Sequence, residues 1–111
     1  MTNQTQLLIE ILLDRSARYD ERSDAAIDLG SYKDIRVLKA LTSIVSDPNE
    51  DDMIVDQSAE SLAEICVALN IFNESEFRKM VAFAPRIVFG FVMYYKPEVV
   101  PESIKNEFSD Q

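Results

Sequence analysis

Four acidic residues recur at intervals of four along one stretch of the chain. They are Asp52, Asp56, Glu60 and Glu64, within the segment DDMIVDQSAESLAEI at residues 51–65. Residues four apart are neighbours on an α-helix, and like charges at that spacing destabilise it by roughly 0.2–0.5 kcal/mol per pair. A row of carboxylates attracts cationic groups, so the chemistry that this spacing supports is electrostatic binding.

A second set of acids has the same spacing in an earlier segment: Asp20, Asp24 and Asp28. The ordinary explanation of such acids is a solvated helix face, with the positive helix N-terminus favouring acids in the first turn. That explanation covers Asp52 but not Glu60 and Glu64, which lie two to three turns further on. We therefore interpret both rows as a candidate binding surface.

The distribution of charge narrows the class of partner. Residues 40–77 contain nine acids and no Lys or Arg, whereas the rest of the chain has eleven acids and eleven bases. The whole net charge of −9 therefore lies in one central segment. Such a segment repels nucleic acid and anionic membranes and attracts a basic protein. We expect a basic protein partner, with neither nucleic acid nor membrane bound.

Missing residue types weigh against catalysis. The chain has no histidine, which rules out Ser-His-Asp and Cys-His nucleophile pairs and the usual zinc sites. With only two glycines there is no glycine-rich phosphate-binding loop. Catalysis would have to rest on carboxylates, Lys or Tyr, and no pair of these stands out. We expect a protein that is not an enzyme and needs neither cofactor nor metal.

Length and composition predict one helical domain over residues 1–111. A single cysteine, Cys66, fits a reducing compartment, and the N-terminus does not resemble a secretory signal. The longest apolar stretch, residues 87–95, is about half of what a membrane-spanning helix needs. We therefore expect a cytoplasmic protein.

Apolar residues recur at helical spacing through most of the chain. Asp20 is predicted to cap the second helix, Gly30 to end it, and Pro85 to start the sixth. Residues 86–95 also have strand-like composition, but a lone strand has no partner, so a helix is favoured. The predicted helices span residues 4–15, 20–30, 34–46, 51–69, 74–84, 85–95 and 101–108.

Two of these helices are weakly alike, which indicates a repeat. Ala26 and Leu29 correspond to Ala59 and Leu62 at an offset of 33, while an offset of 36 aligns the acids better. The register stays open between the two. A period in the thirties is typical of paired helices stacked in a solenoid.

Residues 20–66 resemble HEAT-like repeats of the type found in phycobilin lyases and many bacterial scaffold proteins. The resemblance rests on Ala25, Ala26, Leu29 and Gly30, then Leu38 and Leu41, then Asp47-Pro48, then Ala59 and Leu62. It implies an all-α fold: a short right-handed array of about three antiparallel helical hairpins with a concave binding face. Residues 97–111 would form a polar cap or tail. The family often has Val-Arg where this chain has Val55-Asp56, and the resemblance does not imply lyase activity.

Two functions fit these features. The first is a bacterial immunity protein that neutralises a nuclease toxin by occupying its basic nucleic-acid-binding or active-site surface. The binding residues would be Asp52, Asp56, Glu60 and Glu64, with Asp20, Asp24 and Asp28 beside them. The rival is a HEAT-like scaffold, adaptor or homo-oligomer that binds through the apolar 86–95 segment.

Two further predictions concern individual side chains. Tyr94 and Tyr95 are expected in the core rather than at an interface. Asp14, Arg18 and Arg22 are expected to form an exposed network.

Overall fold

The chain folds into helices joined by short connections. The computed structural model describes residues 3–109, which contain seven α-helices, one 3-10 helix and no strand. The predicted all-α class is confirmed over these residues, and 86–95 is helical. Residues 1, 2, 110 and 111 of the predicted domain, including the end of the predicted tail, lie outside the described range. The α-helices are α1 (Asn3–Leu13), α2 (Tyr19–Leu29), α3 (Ile35–Val45), α4 (Asp52–Leu69), α5 (Glu74–Phe77), α6 (Ala84–Tyr95) and α7 (Glu102–Phe108), and the 3-10 helix is Pro97–Val99.

Local side-chain chemistry determines where the central helices begin and end. The Asp34 carboxylate accepts a hydrogen bond from the Arg36 amide at 2.8 Å, which caps α3. Asp51 caps α4 by accepting from the amides of Met53 and Ile54. Asn70 ends α4 in the left-handed conformation, with φ of 61°. These two helices therefore follow their predicted bounds closely.

Helices α1 and α3 pack side by side and run in the same direction. Near the start of each helix, Arg36 donates to the Gln6 side chain at 3.4 Å. Just beyond their ends, Arg15 donates to Asp47 at 2.9 Å. Each of the two helices also packs on the helix that follows it, α1 on α2 and α3 on α4.

Helices α2 and α4 are also neighbours with a common direction. The Ser23 hydroxyl donates to the Gln57 side chain at 2.8 Å, and the Ser61 hydroxyl donates to the Ala26 carbonyl at 2.6 Å. Ser61 also lies against Gly30, where an added Cβ would come within 2.9 Å of its hydroxyl oxygen. The small side chains on both helices allow this close approach.

The core lies between these helices, with α4 at its centre. The apolar spacing of this helix predicts an inward face of Val55, Ala59, Leu62, Cys66 and Leu69, of which the first four are buried and Leu69 is half-buried. Helix α4 contacts α2, α3 and α6. The radius of gyration is 13.4 Å, close to the roughly 13 Å expected of a compact domain of this length.

The fifth helix is much shorter than predicted. It ends at Phe77, and the chain then turns so that the Val81 amide donates to the Val45 carbonyl at the end of α3, at 2.8 Å. Ala82 follows in the left-handed conformation, with φ of 53°. This tertiary hydrogen bond and the turn replace the predicted helix over residues 78–82. The predicted array had about three hairpins of two long helices. Because α5 has only four residues, α5 and α6 do not form a third hairpin of this kind within residues 3–109.

Of three predicted helix-end roles, the position of Gly30 at the end of α2 is confirmed, and the roles of Asp20 and Pro85 need correction. Asp20 does not cap α2, because α2 begins at Tyr19 after Arg18, which makes no side-chain capping bond. Gly30 does follow α2, but with a right-handed φ of −60°, so its small size matters rather than a left-handed turn. Pro85 is the second residue of α6 rather than the first. Within residues 3–109, no helix combines the length and apolarity needed to cross a membrane.

Candidate protein-binding surface

Several acids of the central segment are neutralised by cations from outside it. Four of the nine acids in residues 40–77 form salt bridges: Asp47 with Arg15 (2.9 Å), Glu50 with Arg22 (2.7 Å), Glu74 with Arg78 (3.1 Å) and Glu76 with Lys79 (3.7 Å). Two of the cations come from the region of α1 and α2, about thirty residues away in sequence. The excess of negative charge is therefore smaller at these sites than the sequence indicates.

The Arg22–Glu50 pair is a buried structural contact. Arg22 donates twice to the Glu50 carboxylate, at 2.7 and 3.0 Å, and twice to the Leu12 carbonyl, at 2.7 and 2.9 Å. The Arg22 guanidinium lowers the pKa of Glu50, which stays ionised although its side chain is only 2% exposed. The predicted exposed network of Asp14, Arg18 and Arg22 is thus wrong, because Arg22 is buried, Arg18 pairs with Asp20 and Asp14 accepts from Ser16.

Two of the other acids also have partners within the molecule. Asp51 caps α4, as described above, and Asp20 is paired with Arg18 at 3.0 Å. The other acids of the two predicted rows have no salt bridge within residues 3–109. We call this set the acidic surface: Asp24 and Asp28 on α2, and Asp52, Asp56, Glu60 and Glu64 on α4.

The packing of α2 on α4 brings acids of both helices to the same side. Ser23 and Gln57 form the contact, and Asp24 and Asp56 are their neighbours in sequence. With 3.6 residues per turn, adjacent residues differ by about 100°. In two helices that run in the same direction, this rotation takes Asp24 and Asp56 to the same side of the contact. Glu60, next to Ser61, follows Asp56 on that side.

Asp56 differs from the other members of the acidic surface because it is half-buried. One of its carboxylate oxygens, Oδ1, is shielded from solvent and accepts no hydrogen bond from residues 3–109. Burial raises the pKa of Asp56, and the nearby charge of Asp52 raises it further. An incoming cationic donor would therefore be more strongly favoured here than at an exposed carboxylate.

Two exposed apolar residues lie on the same helices, and sequence analysis missed them. Ile27 on α2 and Met53 on α4 are each 54% exposed. Ile27 is adjacent to Asp28, and Met53 is adjacent to Asp52. Each lies outside the regular spacing of the apolar residues that face the core. This departure could have identified both residues from the sequence. They add apolar contact area beside the carboxylates.

Other candidate groups have different environments. Burial raises the pKa of the Cys66 thiol to about 11, so it is a weak nucleophile at neutral pH. In the part of the chain that the structure describes, no three His, Cys, Asp or Glu residues are grouped to hold a metal ion. Tyr94 and Tyr95 are 79% and 58% exposed, so the prediction that they belong to the core is wrong.

No protein-family model, curated protein sequence or solved structure matches the chain.

Proposed function

We propose that this protein is a binding module that recognises a basic protein through its acidic surface. The observation that supports the proposal is the selective pairing of acids. Cations neutralise Asp47, Glu50, Glu74 and Glu76, whereas the six acids of the acidic surface form no salt bridge within residues 3–109. Like charges four residues apart destabilise a helix, and a binding role would explain why they are present.

The mechanism rests on charge steering followed by local desolvation. Unpaired carboxylates on one side of α2 and α4 raise the rate of encounter with a cationic surface. Each exposed ion pair contributes at most about 1 kcal/mol. The half-buried Asp56 carboxylate would contribute more, because the charge of a partner's arginine offsets the cost of its partial burial. Ile27 and Met53 would pack against the apolar part of such a side chain.

The most specific form of the proposal is inhibition of a nucleic-acid-binding protein. Clefts that bind phosphates are basic, so an acidic surface can occupy them in place of nucleic acid. An immunity protein that neutralises a nuclease toxin would use this mechanism, in the cytoplasm and without catalysis of its own. A HEAT-like array suits the role, and the common direction of α1 with α3 and of α2 with α4 is consistent with such a repeat.

The first test is capture of the partner with two charge-reversal variants, one on the acidic surface and one outside it. The wild-type chain, Glu60→Lys/Glu64→Lys and Glu98→Lys are immobilised, and lysate proteins bound at low salt are eluted with a salt gradient. We expect basic proteins to elute from the wild type as salt rises, because screening weakens exposed charge pairs. The double variant should lose them, and Glu98→Lys, an exposed acid outside the acidic surface, should retain them.

The captured protein is then purified and its affinity is measured against all three chains. We expect a loss of at least tenfold for the double variant, with circular dichroism showing an intact helical fold. Equal affinity for the wild type and Glu60→Lys/Glu64→Lys would reject the acidic surface as the binding site of the partner. For the inhibitor form of the proposal, the partner's nuclease activity must fall as this protein is added.

A second candidate function is self-association through α6. The aromatic side chains near its ends are exposed: Phe83 by 65%, Tyr94 by 79% and Tyr95 by 58%. A Cβ added to Gly90, in the middle of the helix, would meet no atom of residues 3–109 within 4 Å, so α6 is uncovered at this position. Residues 82–97 contain no acid. This is the surface on which two copies could meet without opposing carboxylates.

A further inference from the structure

A groove runs along α3 on a part of the molecule that neither proposed protein-binding surface uses. Its volume is about 470 Å³, within the range of small-molecule sites. Leu38 of α3 forms one wall, Phe72 and Met80 form the other, and Leu62, Cys66 and Val88 lie at its base. The lining is therefore mostly apolar and comes from four separate segments of the chain.

The groove exists because α5 is only one turn long. Helix α1 packs on α3, but α5 ends at Phe77 and leaves another side of α3 uncovered. One end is closed where the Val81 amide donates to the Val45 carbonyl. At the other end, Ile35 and Ile71 are 59% and 37% exposed. The result is an apolar groove that is partly open to solvent and is bounded at one end by this hydrogen bond.

The polar groups that line the groove present few donors. The hydroxyls of Thr42, Ser43 and Ser46 each donate to a carbonyl of their own helix, at 2.7–2.8 Å, so they offer only acceptor oxygens. Glu76 is paired with Lys79. Asn73 uses its carbonyl to cap α5, which leaves its amide nitrogen as a donor.

The remaining charge is Lys39. It lines the groove and has no carboxylate partner within residues 3–109, although the chain has 20 acids. No acid lies three or four residues from it on α3. The groove thus combines an apolar channel with a single unneutralised cation. Lys39 is six residues from Val45 at the closed end, a distance of about 9 Å along the helix.

We propose that this groove binds an amphipathic monocarboxylate with the chemistry of a medium-chain fatty acid. The alkyl chain lies against Leu38, Phe72 and Val88 and extends toward the closed end. The carboxylate is held by the Lys39 ammonium and the Asn73 amide. An anion is favoured over a cation because Lys39 is the charged group of the lining without an ion-pair partner in residues 3–109, whereas the Glu76 carboxylate is paired with Lys79. This site is separate from the acidic surface and does not depend on the function proposed for it.

The test is titration with a homologous series of ligands. Hexanoate, octanoate and decanoate are added below their micelle-forming concentrations while amide chemical shifts are followed by NMR. We expect saturable shifts confined to residues near the groove, in 35–46 and 71–81. Affinity should rise about fourfold per methylene until the channel is full, because each methylene leaves water. No saturable binding by decanoate would overturn the proposal.

Charge recognition is tested with a substitution and a neutral ligand. Lys39→Gln should weaken decanoate binding about threefold to fivefold. Decanol, which is uncharged, should bind the wild type and Lys39→Gln equally, and more weakly than decanoate binds the wild type. Equal binding of decanoate to the wild type and Lys39→Gln would reject the carboxylate site. Thr42→Trp should block the channel while circular dichroism shows an intact fold. Glu60→Lys/Glu64→Lys should bind decanoate like the wild type, which separates this site from the acidic surface.

Discussion

Arg18 and Arg22 show how burial decides what a charged residue contributes. Arg18 immediately precedes α2 and Arg22 lies four residues later in its first turns, and each is paired with an acid. The Arg18 pair is exposed and contributes at most about 1 kcal/mol. The Arg22 pair is enclosed, with side chains 8% and 2% exposed, so the loss of one partner leaves an uncompensated buried charge.

At the residue scale, Glu50→Gln is expected to lower the free energy of unfolding at pH 7 by about 3 kcal/mol. Arg22 lowers the pKa of Glu50, so the folded protein binds fewer protons than the unfolded chain. The stabilisation is therefore present above the ordinary value of 4.5 and is lost as pH falls through the lower folded pKa. Denaturant unfolding at several pH values should show the difference from the wild type shrinking below pH 4.5.

The matched control is Glu74→Gln, which removes an acid from the exposed pair with Arg78. Its expected loss at pH 7 is below about 1 kcal/mol. Similar losses for the two variants would mean that the Arg22–Glu50 pair is no more important than a surface contact.

At the element scale, the two glycines have opposite environments. Gly30 lies where α2 meets α4, and a Cβ there would come within 2.9 Å of the Ser61 hydroxyl oxygen and 3.2 Å of the Ser61 backbone. Gly90 lies on the exposed side of α6, where a Cβ would meet nothing within 4 Å. The first glycine is needed for helix packing, whereas the second only lowers the helix propensity of α6.

Gly30→Ala should therefore lower the free energy of unfolding by about 1–3 kcal/mol, because α2 and α4 must move apart. Gly90→Ala should raise it by about 0.5–1 kcal/mol, since alanine favours the helix. Thermal and denaturant unfolding of the two variants measures both effects. A stabilising Gly30→Ala would show that the α2–α4 contact adjusts without cost.

At the scale of the whole molecule, charge is divided between separate surfaces. The acidic surface on α2 and α4 carries unpaired carboxylates, while residues 82–97, around α6, contain only the cations Arg86 and Lys96. An aromatic side chain presents about 200 Å². At their observed exposures, Phe83, Tyr94 and Tyr95 offer about 400 Å² per protomer, half of the roughly 800 Å² of a standard interface. Self-association through α6 would therefore be weak.

Binding of a basic partner to the acidic surface and self-association through α6 should respond to salt in opposite directions. Copies with a net charge of −9 repel each other, so a dimer through α6 should strengthen as salt screens that repulsion. Sedimentation equilibrium over a range of salt concentrations measures this. Tyr94→Ser/Tyr95→Ser should abolish the dimer, and Tyr19→Ser, at another exposed tyrosine, should leave it intact. A monomer at every salt concentration would reject self-association.

Local signals in the sequence were enough to determine the all-α class and most helix bounds. Helical periodicity acts within one element, and the caps at Asp34 and Asp51 act within one turn. The same signals indicated the acids of α2 and α4 as one candidate surface. Their spacing is a property of the helix and needs no tertiary information.

Contacts between distant residues decided the rest. Arg15 and Arg22 neutralise Asp47 and Glu50 across about thirty residues, which no local pattern reveals. The Val81 amide satisfies the Val45 carbonyl, and this hydrogen bond accompanies the early end of α5 and the open groove beside α3. The sequence by itself determined which segments are helical and where acids concentrate. Only the tertiary structure decided which charges are neutralised and which surfaces stay exposed, because both depend on how the helices pack.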